Sequence, residues 1–297
     1  MSSSVRLERS REALAQVSRL RSTRTEVGRA IRDAAERLAA SSDTARLDAE
    51  LLMAHALGAT RSDMLLRHMR DAVPDVFDAL VERRARHEPV AHIVGHQEFF
   101  GLAFAVTPDT LIPRGDSETI VEAALEVAKP DARVLDMGTG SGALLLAFLS
   151  ERPEATGVGI DASPGALDVA AANARNLDLA ERAQFHRASW LDVGWHSRLG
   201  QFDLILCNPP YVEADASLDP DVRDYEPASA LFAGPEGLDD YRAIIPQIGK
   251  LLSSGGVAVL EIGATQEGMV SAIARDSGFS VDMKRDLAGR PRALILT

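Results

Sequence analysis

Apolar positions change period along the chain. Val27, Ile31, Ala34 and Leu38 fall at i, i+4, i+7 and i+11, the spacing of one helical face. Ser41, Ser42 and Asp43 interrupt it, and Leu47, Leu51, Ala54 and Leu57 resume it up to Gly58, a natural C-cap. A short helix is expected over 62–69, and Pro74 suits the first turn of another carrying Val76, Leu80 and Val81. Residues 25–90 therefore predict a small helical domain. Over 92–106, Gly95 and Gly101 punctuate β-prone residues, which predicts a β-hairpin linker over 91–112. From 113 to 297 short apolar runs alternate with helical patterns. Strands are expected at 133–137, 156–160, 184–187, 202–207 and 257–262, with two more near 280–284 and 292–296. Helices are expected at 143–149, 164–175, 239–252 and 266–276. Such alternation predicts an α/β domain with a mostly parallel, doubly wound sheet, whose ligands bind at the carboxyl ends of the strands.

Composition narrows the function classes. A chain of 297 residues with 46% hydrophobic and 26% charged residues fits an ordinary globular protein of two domains. No run of about 18 apolar residues is present, and the start lacks a secretory apolar segment. Residues 1–24, rich in Ser and Arg, are expected to be a disordered extension. Glu8 and Glu12 count against a transit peptide. A single cysteine, Cys207, excludes a disulfide framework. These features fit a cytoplasmic protein. The formal net charge of −12 argues against wrapping nucleic acid and for a protein or small-molecule substrate. His87, His92 and His96 lack the spacing of a helical metal pair, no helix is expected there, and no metal site is assigned.

The run Val134-Leu135-Asp136-Met137-Gly138-Thr139-Gly140-Ser141-Gly142 reads as strand, glycine-rich turn and helix start. Glycines let a backbone approach a ligand closely. The loop alone would serve NAD, FAD or S-adenosylmethionine. Asp136 shifts the balance: a carboxylate there suits a cationic amino group and sits badly beside a pyrophosphate. Asp161, ending the next strand, can accept from ribose hydroxyls. Together they favour S-adenosylmethionine.

Asn208-Pro209-Pro210-Tyr211 follows the apolar strand 202–207 directly, at the carboxyl edge. The chemistry of a planar NH2 group accounts for all four residues. Its lone pair is delocalised, so it must be held with that pair facing an electrophilic methyl. The Asn208 side-chain carbonyl and the Pro209 backbone carbonyl can each accept one of its N–H groups, two prolines stiffen the turn, and the Tyr211 ring can pack on the flat amide. Adenine, cytosine and glutamine all carry such a group, and the tetrapeptide does not choose among them.

Further motifs do choose. Ala45-Arg46-Leu47-Asp48-Ala49-Glu50-Leu51-Leu52, Glu88-Pro89-Val90-Ala91-His92-Ile93-Val94-Gly95 and Glu98-Phe99-Phe100-Gly101 precede Leu111-Ile112-Pro113-Arg114-Gly115-Asp116-Ser117-Glu118-Thr119. Tyr225-Glu226-Pro227, Ala230-Leu231, Gly237-Leu238-Asp239, Tyr241-Arg242, Glu261-Ile262-Gly263 with Gln266, and Asp286-Leu287-Ala288-Gly289-Arg290 follow the tetrapeptide. In this order, from about residue 25 to the end, they resemble the HemK/PrmC family of release factor glutamine-N5 methyltransferases. The resemblance implies a Rossmann-like class I methyltransferase domain over 113–297 and a substrate-recognition role for the helical domain. It implies cofactor contacts from Asp136, Gly138, Thr139, Gly140, Ser141, Gly142, Asp161, Trp190 and Asn208. It also implies that Asn208, Pro209, Pro210 and Tyr211 hold the glutamine of a Gly-Gly-Gln motif in peptide-chain release factors, with Phe100 as a wall or lid.

The sequence departs from the family pattern at Gly115, which replaces a proline, and at Ser189, which stands where an aspartate usually precedes the tryptophan. Ser189 accepts a hydrogen bond from adenine more weakly than a carboxylate would, which bears on cofactor affinity. Glutamine methylation of a ribosomal protein and adenine-N6 methylation of nucleic acid are the alternative activities. A non-catalytic binding module is the alternative of another class. The Tyr225-Glu226-Pro227 and Ala230-Leu231 stretch favours release factors over ribosomal protein, the acidic charge disfavours nucleic acid, and the intact tetrapeptide disfavours inactivity. The expected protein is a monomer with a protein substrate and no membrane association.

Overall fold

The computed structural model describes residues 26–297, so the extension expected over 1–24 lies outside the described residues. The chain divides between Val94 and Gly95 into two compact units.

The first unit is helical: α1 (Val27–Leu38), α2 (Ala45–Leu57), a turn at Arg61–Asp63 running into the π-helical Met64–His68, α3 (Phe77–Ala85) and α4 (Val90–Val94). Helix α1 buries Val27, Ile31, Ala34 and Leu38, the face its spacing predicts. Helix α2 follows its predicted face only in part: Ala54 is buried and Leu57 packs half-buried against the core, but Leu47 is 41% exposed, and Asp48, Ala49, Glu50, Leu52 and Met53 are buried. The reason is that two carboxylates turn inward to meet arginines. Asp48 accepts from the buried Arg84 Nε at 2.6 Å, and Glu50 from Arg46 Nε at 2.6 Å and Arg61 Nε at 2.8 Å. Gly58 ends α2 in the left-handed region at φ 62°, as a C-cap glycine should. Pro74 lies outside α3, which begins at Phe77, and Val76 is exposed rather than core. His92 stands within α4, which corrects the expectation of no helix around the histidines.

The second unit opens with the hairpin β1 (His96–Phe99) and β2 (Leu102–Ala105), shorter than the segment 91–112 expected as a linker. It is no loose connector. Phe99 and Phe104 are fully buried in the core of this unit, and Asn173 clamps Ala105 by accepting from its N–H at 2.8 Å and donating to its carbonyl at 3.0 Å. Phe100 and Gly101 form the two-residue turn, both at positive φ (54° and 74°). Glu118 Oε1 accepts from the Phe100 N–H at 2.8 Å and so holds a phenylalanine in a conformation that L side chains avoid.

The seven-stranded sheet has the order β5-β4-β3-β6-β7-β9-β8, with β3 (Arg133–Met137), β4 (Thr156–Asp161), β5 (Ala183–Arg187), β6 (Phe202–Cys207), β7 (Leu252–Glu261), β8 (Val281–Arg285) and β9 (Pro291–Leu296). The first five in that order run parallel, and β9 returns antiparallel beside β7. Successive strand residues feed opposite faces. Val134, Leu204 and Leu206 join one core with α5 (Glu118–Val127) and α6 (Ala143–Glu151). Leu135, Met137, Ile205 and Cys207 join the other with α8 (Asp239–Leu251) and α9 (Glu267–Asp276). Burial on both faces explains why these strands read as continuous apolar runs. Helix α7 (Pro164–Asn176) starts at Ser163, whose Oγ accepts from the Ala166 N–H. Chain order reverses at β3, with β4 on one side and β6 on the other, and this switch point positions the site. Among the described residues no helix is long and apolar enough to cross a membrane.

Candidate active site

A cleft of about 400 Å³ opens at the carboxyl ends of β3, β4 and β6, within the size range of small-molecule sites. Of the residues singled out from the sequence, Gly138, Thr139, Gly140, Ser141, Asp161, Ser189, Trp190, Asn208 and Pro210 line it. Asp136, Gly142, Pro209, Tyr211 and Phe100 stand outside the lining, and Phe99 takes a place in it beside Phe100.

The glycine loop is shaped by strain that only glycine relieves. Gly138 has φ 73°, and a Cβ there would lie 3.1 Å from Cη2 of Trp190, so the indole sits directly against the loop. The backbone N–H groups of Gly138 and Thr139 both donate to the Ile160 carbonyl at 2.9 Å, tying β3 to β4. The Asp161 carboxylate accepts from the Gly140 N–H at 3.0 Å and the Ser163 N–H at 2.8 Å. It is thereby fixed at the cleft wall with lone pairs left for hydroxyls. Trp190 is fixed by donation from Nε1 to Asp240 Oδ1 at 2.8 Å, and Asp240 also lines the cleft. The Ser189 hydroxyl accepts from the Leu191 N–H at 3.3 Å, so part of its accepting capacity is engaged.

Asp136 is 1% exposed. Its Oδ2 accepts from Thr139 Oγ1 at 2.6 Å, while Oδ1 is buried without a donor. Burial pushes its pKa up to about 7 from an ordinary 3.8. An unpaired buried carboxylate oxygen, an indole against a loop with no room for a Cβ, and a carboxylate at the end of the next strand suit a ligand with a cationic amino group, a flat base and a ribose.

The Asn208 turn is built from behind by residues far apart in sequence. Tyr211 donates its hydroxyl to Glu261 Oε1 at 3.2 Å, and Ser117 Oγ donates to Glu261 Oε2 at 2.5 Å. Gln266 Nε2 donates to the Tyr211 and Gly237 carbonyls, both at 3.1 Å. Gly237 allows that approach, because a Cβ at its φ of 66° would lie 2.2 Å from the Tyr211 carbonyl oxygen. Val212 and Ala233 then pair the chain after the turn with 231–233. On another wall, Arg114 pairs with the buried Glu226, which also accepts from the Ile112 N–H at 3.1 Å. Pro227, Ser229, Ala230 and Phe232 continue that wall. Residue-by-residue reading missed Ser117, Glu261, Arg114, Glu226, Gln266 and Asp240 as site builders. The first five sit inside the quoted motifs, but no local pattern signals that they converge.

The fold and the cleft define an S-adenosylmethionine-dependent methyltransferase. Residues 29–95 match the family described as the PrmC N-terminal domain, and residues 128–279 that described as a methyltransferase domain. A release factor glutamine methyltransferase of Rhodospirillum rubrum is 42% identical over 257 residues, covering 84% of this chain and 78% of that protein. Another, from Cereibacter sphaeroides, is 43% identical over 271 residues, covering 89% and 95%. Among solved structures, a methyltransferase from Pyrococcus furiosus shares the fold with a TM-score of 0.51 over 72% of this chain and 97% of its own, at 17% identity. The chain belongs to the release factor glutamine methyltransferase family, and S-adenosylmethionine is its cofactor.

A pH dependence follows from Asp136. On the reading that its unpartnered Oδ1 meets the cofactor's ammonium, a carboxyl raised to about 7, largely protonated at pH 6, must ionise on binding. Cofactor affinity should fall several-fold from pH 8 to pH 6, and binding near pH 6.5 should release protons. Calorimetry in two buffers of different ionisation enthalpy reads both. The sign for folding is opposite. The folded state binds this proton more tightly than the unfolded one, so the cofactor-free protein gains stability from Asp136 as pH falls from about 7 towards 3.8. Asp136→Asn should flatten both slopes.

Proposed function

We propose that this enzyme transfers a methyl group to the side-chain amide nitrogen of the glutamine in the Gly-Gly-Gln motif of peptide-chain release factors. The observation that carries the reading is Asn208 at the end of β6, facing the same cleft as the glycine loop after β3. Relatives at 42% and 43% identity carry the name release factor glutamine methyltransferase, which supports the substrate class.

In this reading the Asn208 Oδ1 and Pro209 carbonyl each accept one N–H of the target amide and turn its nitrogen into line. S-adenosylmethionine would supply a methyl on a cationic sulfur that leaves as a neutral thioether, and the target nitrogen loses one N–H proton to solvent afterwards, so no strong base is needed. Rate then comes from positioning and from fixed dipoles. The Tyr211 ring packs on the amide, held by its hydroxyl on Glu261. Phe100 follows the cleft-lining Phe99 on a turn held by Glu118, and in this reading it is the wall or lid that meets the substrate beyond the cofactor cleft. The helical unit serves protein-substrate recognition, the enzyme acts as a cytoplasmic monomer, and it makes no direct contact with nucleic acid.

The alternatives are a ribosomal-protein glutamine and an adenine. The wall lined by Arg114, Pro227 and Ala230, with Glu226 behind Arg114, includes the stretch whose form favours release factors. Labelled S-adenosylmethionine offered with a release factor, ribosomal proteins and rRNA in parallel tests the choice. Label in the release factor alone is expected. Label in ribosomal protein or RNA with none in the release factor would replace this assignment.

A further inference from the structure

Asparagine is an ambivalent holder of an amide. Its oxygen and NH2 group have nearly the same shape, so the same rotamer can offer an acceptor or a donor to the cleft. The reaction as read above needs the acceptor, and something must set the orientation.

We infer that Glu261 and Ser117 form a hydrogen-bond relay that fixes the Asn208 side chain with its oxygen towards the cleft. The inference rests on the reading that Asn208 Oδ1 receives an N–H of the target amide. It follows from counting hydrogens. Glu261 is 2% exposed and ends β7, and each of its oxygens meets a hydroxyl: Tyr211 on Oε1 at 3.2 Å and Ser117 on Oε2 at 2.5 Å. Burial pushes its pKa up, while the hydrogen bonds from Ser117 and Tyr211 favour the ionised form, which can only accept. A serine hydroxyl carries one hydrogen, and an ionised Glu261 takes it on Oε2 at 2.5 Å. Ser117 Oγ therefore has only lone pairs to offer Asn208. The amide turns its Nδ2 to Ser117 at 3.5 Å, and Oδ1 is left for the opposite side. The reverse orientation would set Oδ1 against Oγ with no hydrogen between them, and would present an NH2 group to the incoming NH2. Ser117 itself lines the cleft, brought there by the short 3-10 turn Gly115–Ser117 just before α5. Glu261 and Ser117 are thus positioning residues that act through Asn208.

Substitutions in the full-length enzyme separate this relay from a merely structural role. In Glu261→Gln the new amide can donate to Ser117, which frees the hydroxyl hydrogen for Asn208 Oδ1 and lets the side chain reverse. The expected result is a fall in kcat of about 10- to 100-fold with cofactor Kd little changed. Ser117→Ala should fall comparably, and Ser117→Thr should restore most of the activity. The double variant Ser117→Ala with Glu261→Gln should be no slower than the slower single variant, because both act through one bond. Additive losses, no rescue by threonine, or a parallel loss of cofactor affinity would overturn the relay. An NMR readout needs no substrate: an Overhauser contact between an Asn208 Nδ2 proton and the Ser117 methylene should be present in the native enzyme and lost in Glu261→Gln. Its absence from the native enzyme would also overturn the relay. Failure of the native enzyme to methylate a release factor, with that contact present, would instead fall on the substrate assignment.

Discussion

Asn208→Ala should lower kcat for methyl transfer by about 10²- to 10³-fold while cofactor affinity stays within a few-fold of the native value. The side chain lies in the cleft beyond β6, whose Cys207 pairs with Met137 at the end of β3, so it faces the ligand from the strand next to the glycine loop. In the proposed reading, truncation removes one of the two carbonyls that orient the target nitrogen and leaves the other, Pro209, on a turn stiffened by two prolines. The cofactor keeps Asp161 and the Trp190 face, both held by bonds that do not involve Asn208. The loss should therefore appear in single-turnover rate and not in binding. An equal fall in cofactor affinity would mean that Asn208 mainly holds the cofactor. A loss under about threefold would remove it from the reaction, since a positioning contact is worth far more.

The largest effect on stability is expected at the opposite end of the chain. Asp48→Ala should destabilise the helical unit by about 3–5 kcal/mol, the scale for breaking a buried charge pair from one side. Asp48 and Arg84 have side chains 7% exposed, and their Nε–Oδ2 distance is 2.6 Å. Asp48 also accepts from Ser42 Oγ at 2.7 Å and Thr44 Oγ1 at 2.9 Å, so one carboxylate satisfies three donors around the start of α2. Its removal takes away the carboxylate 2.6 Å from Arg84 Nε, at a site where both side chains are only 7% exposed. Replacing Asp48 and Arg84 together by apolar residues should cost much less, because no charge is then left behind. Urea denaturation of the full chain, followed by helical signal, measures both. A cost below about 1 kcal/mol for Asp48→Ala would show that the pair is solvated.

These two sites mark what a sequence exposes and what it conceals. The glycine loop, Asp161 and the Asn208 turn were legible because each is a local signature tied to the end of an apolar strand. A doubly wound sheet brings strand ends together whatever the residues between them. Helix α2 misled for a physical reason. Hydrophobic spacing assumes that carboxylates face water, and Asp48 and Glu50 are buried because Arg84, Arg46 and Arg61 reach them from other segments or turns. The same limit hid the relay. Ser117 and Glu261 lie 144 residues apart and meet only because α5 and β7 pack around the β6 turn. Asp136 lies just behind the cleft lining with Oδ1 unpartnered, and no local pattern signals how deeply the carboxylate is buried there. The hairpin was legible as a hairpin but not as part of a core, since the Asn173 clamp joins positions 68 residues apart.

The most direct measurement locates the methyl group. A release factor incubated with the purified enzyme and S-adenosylmethionine would be digested, and the Gly-Gly-Gln peptide sequenced by tandem mass spectrometry beside one from a copy whose glutamine is changed to alanine. The account predicts a single methyl on the glutamine side chain, absent from the altered copy and about 10²- to 10³-fold slower to form with Asn208→Ala enzyme. A methyl on any other residue of the release factor, or none at all from an enzyme that still binds its cofactor, would contradict it.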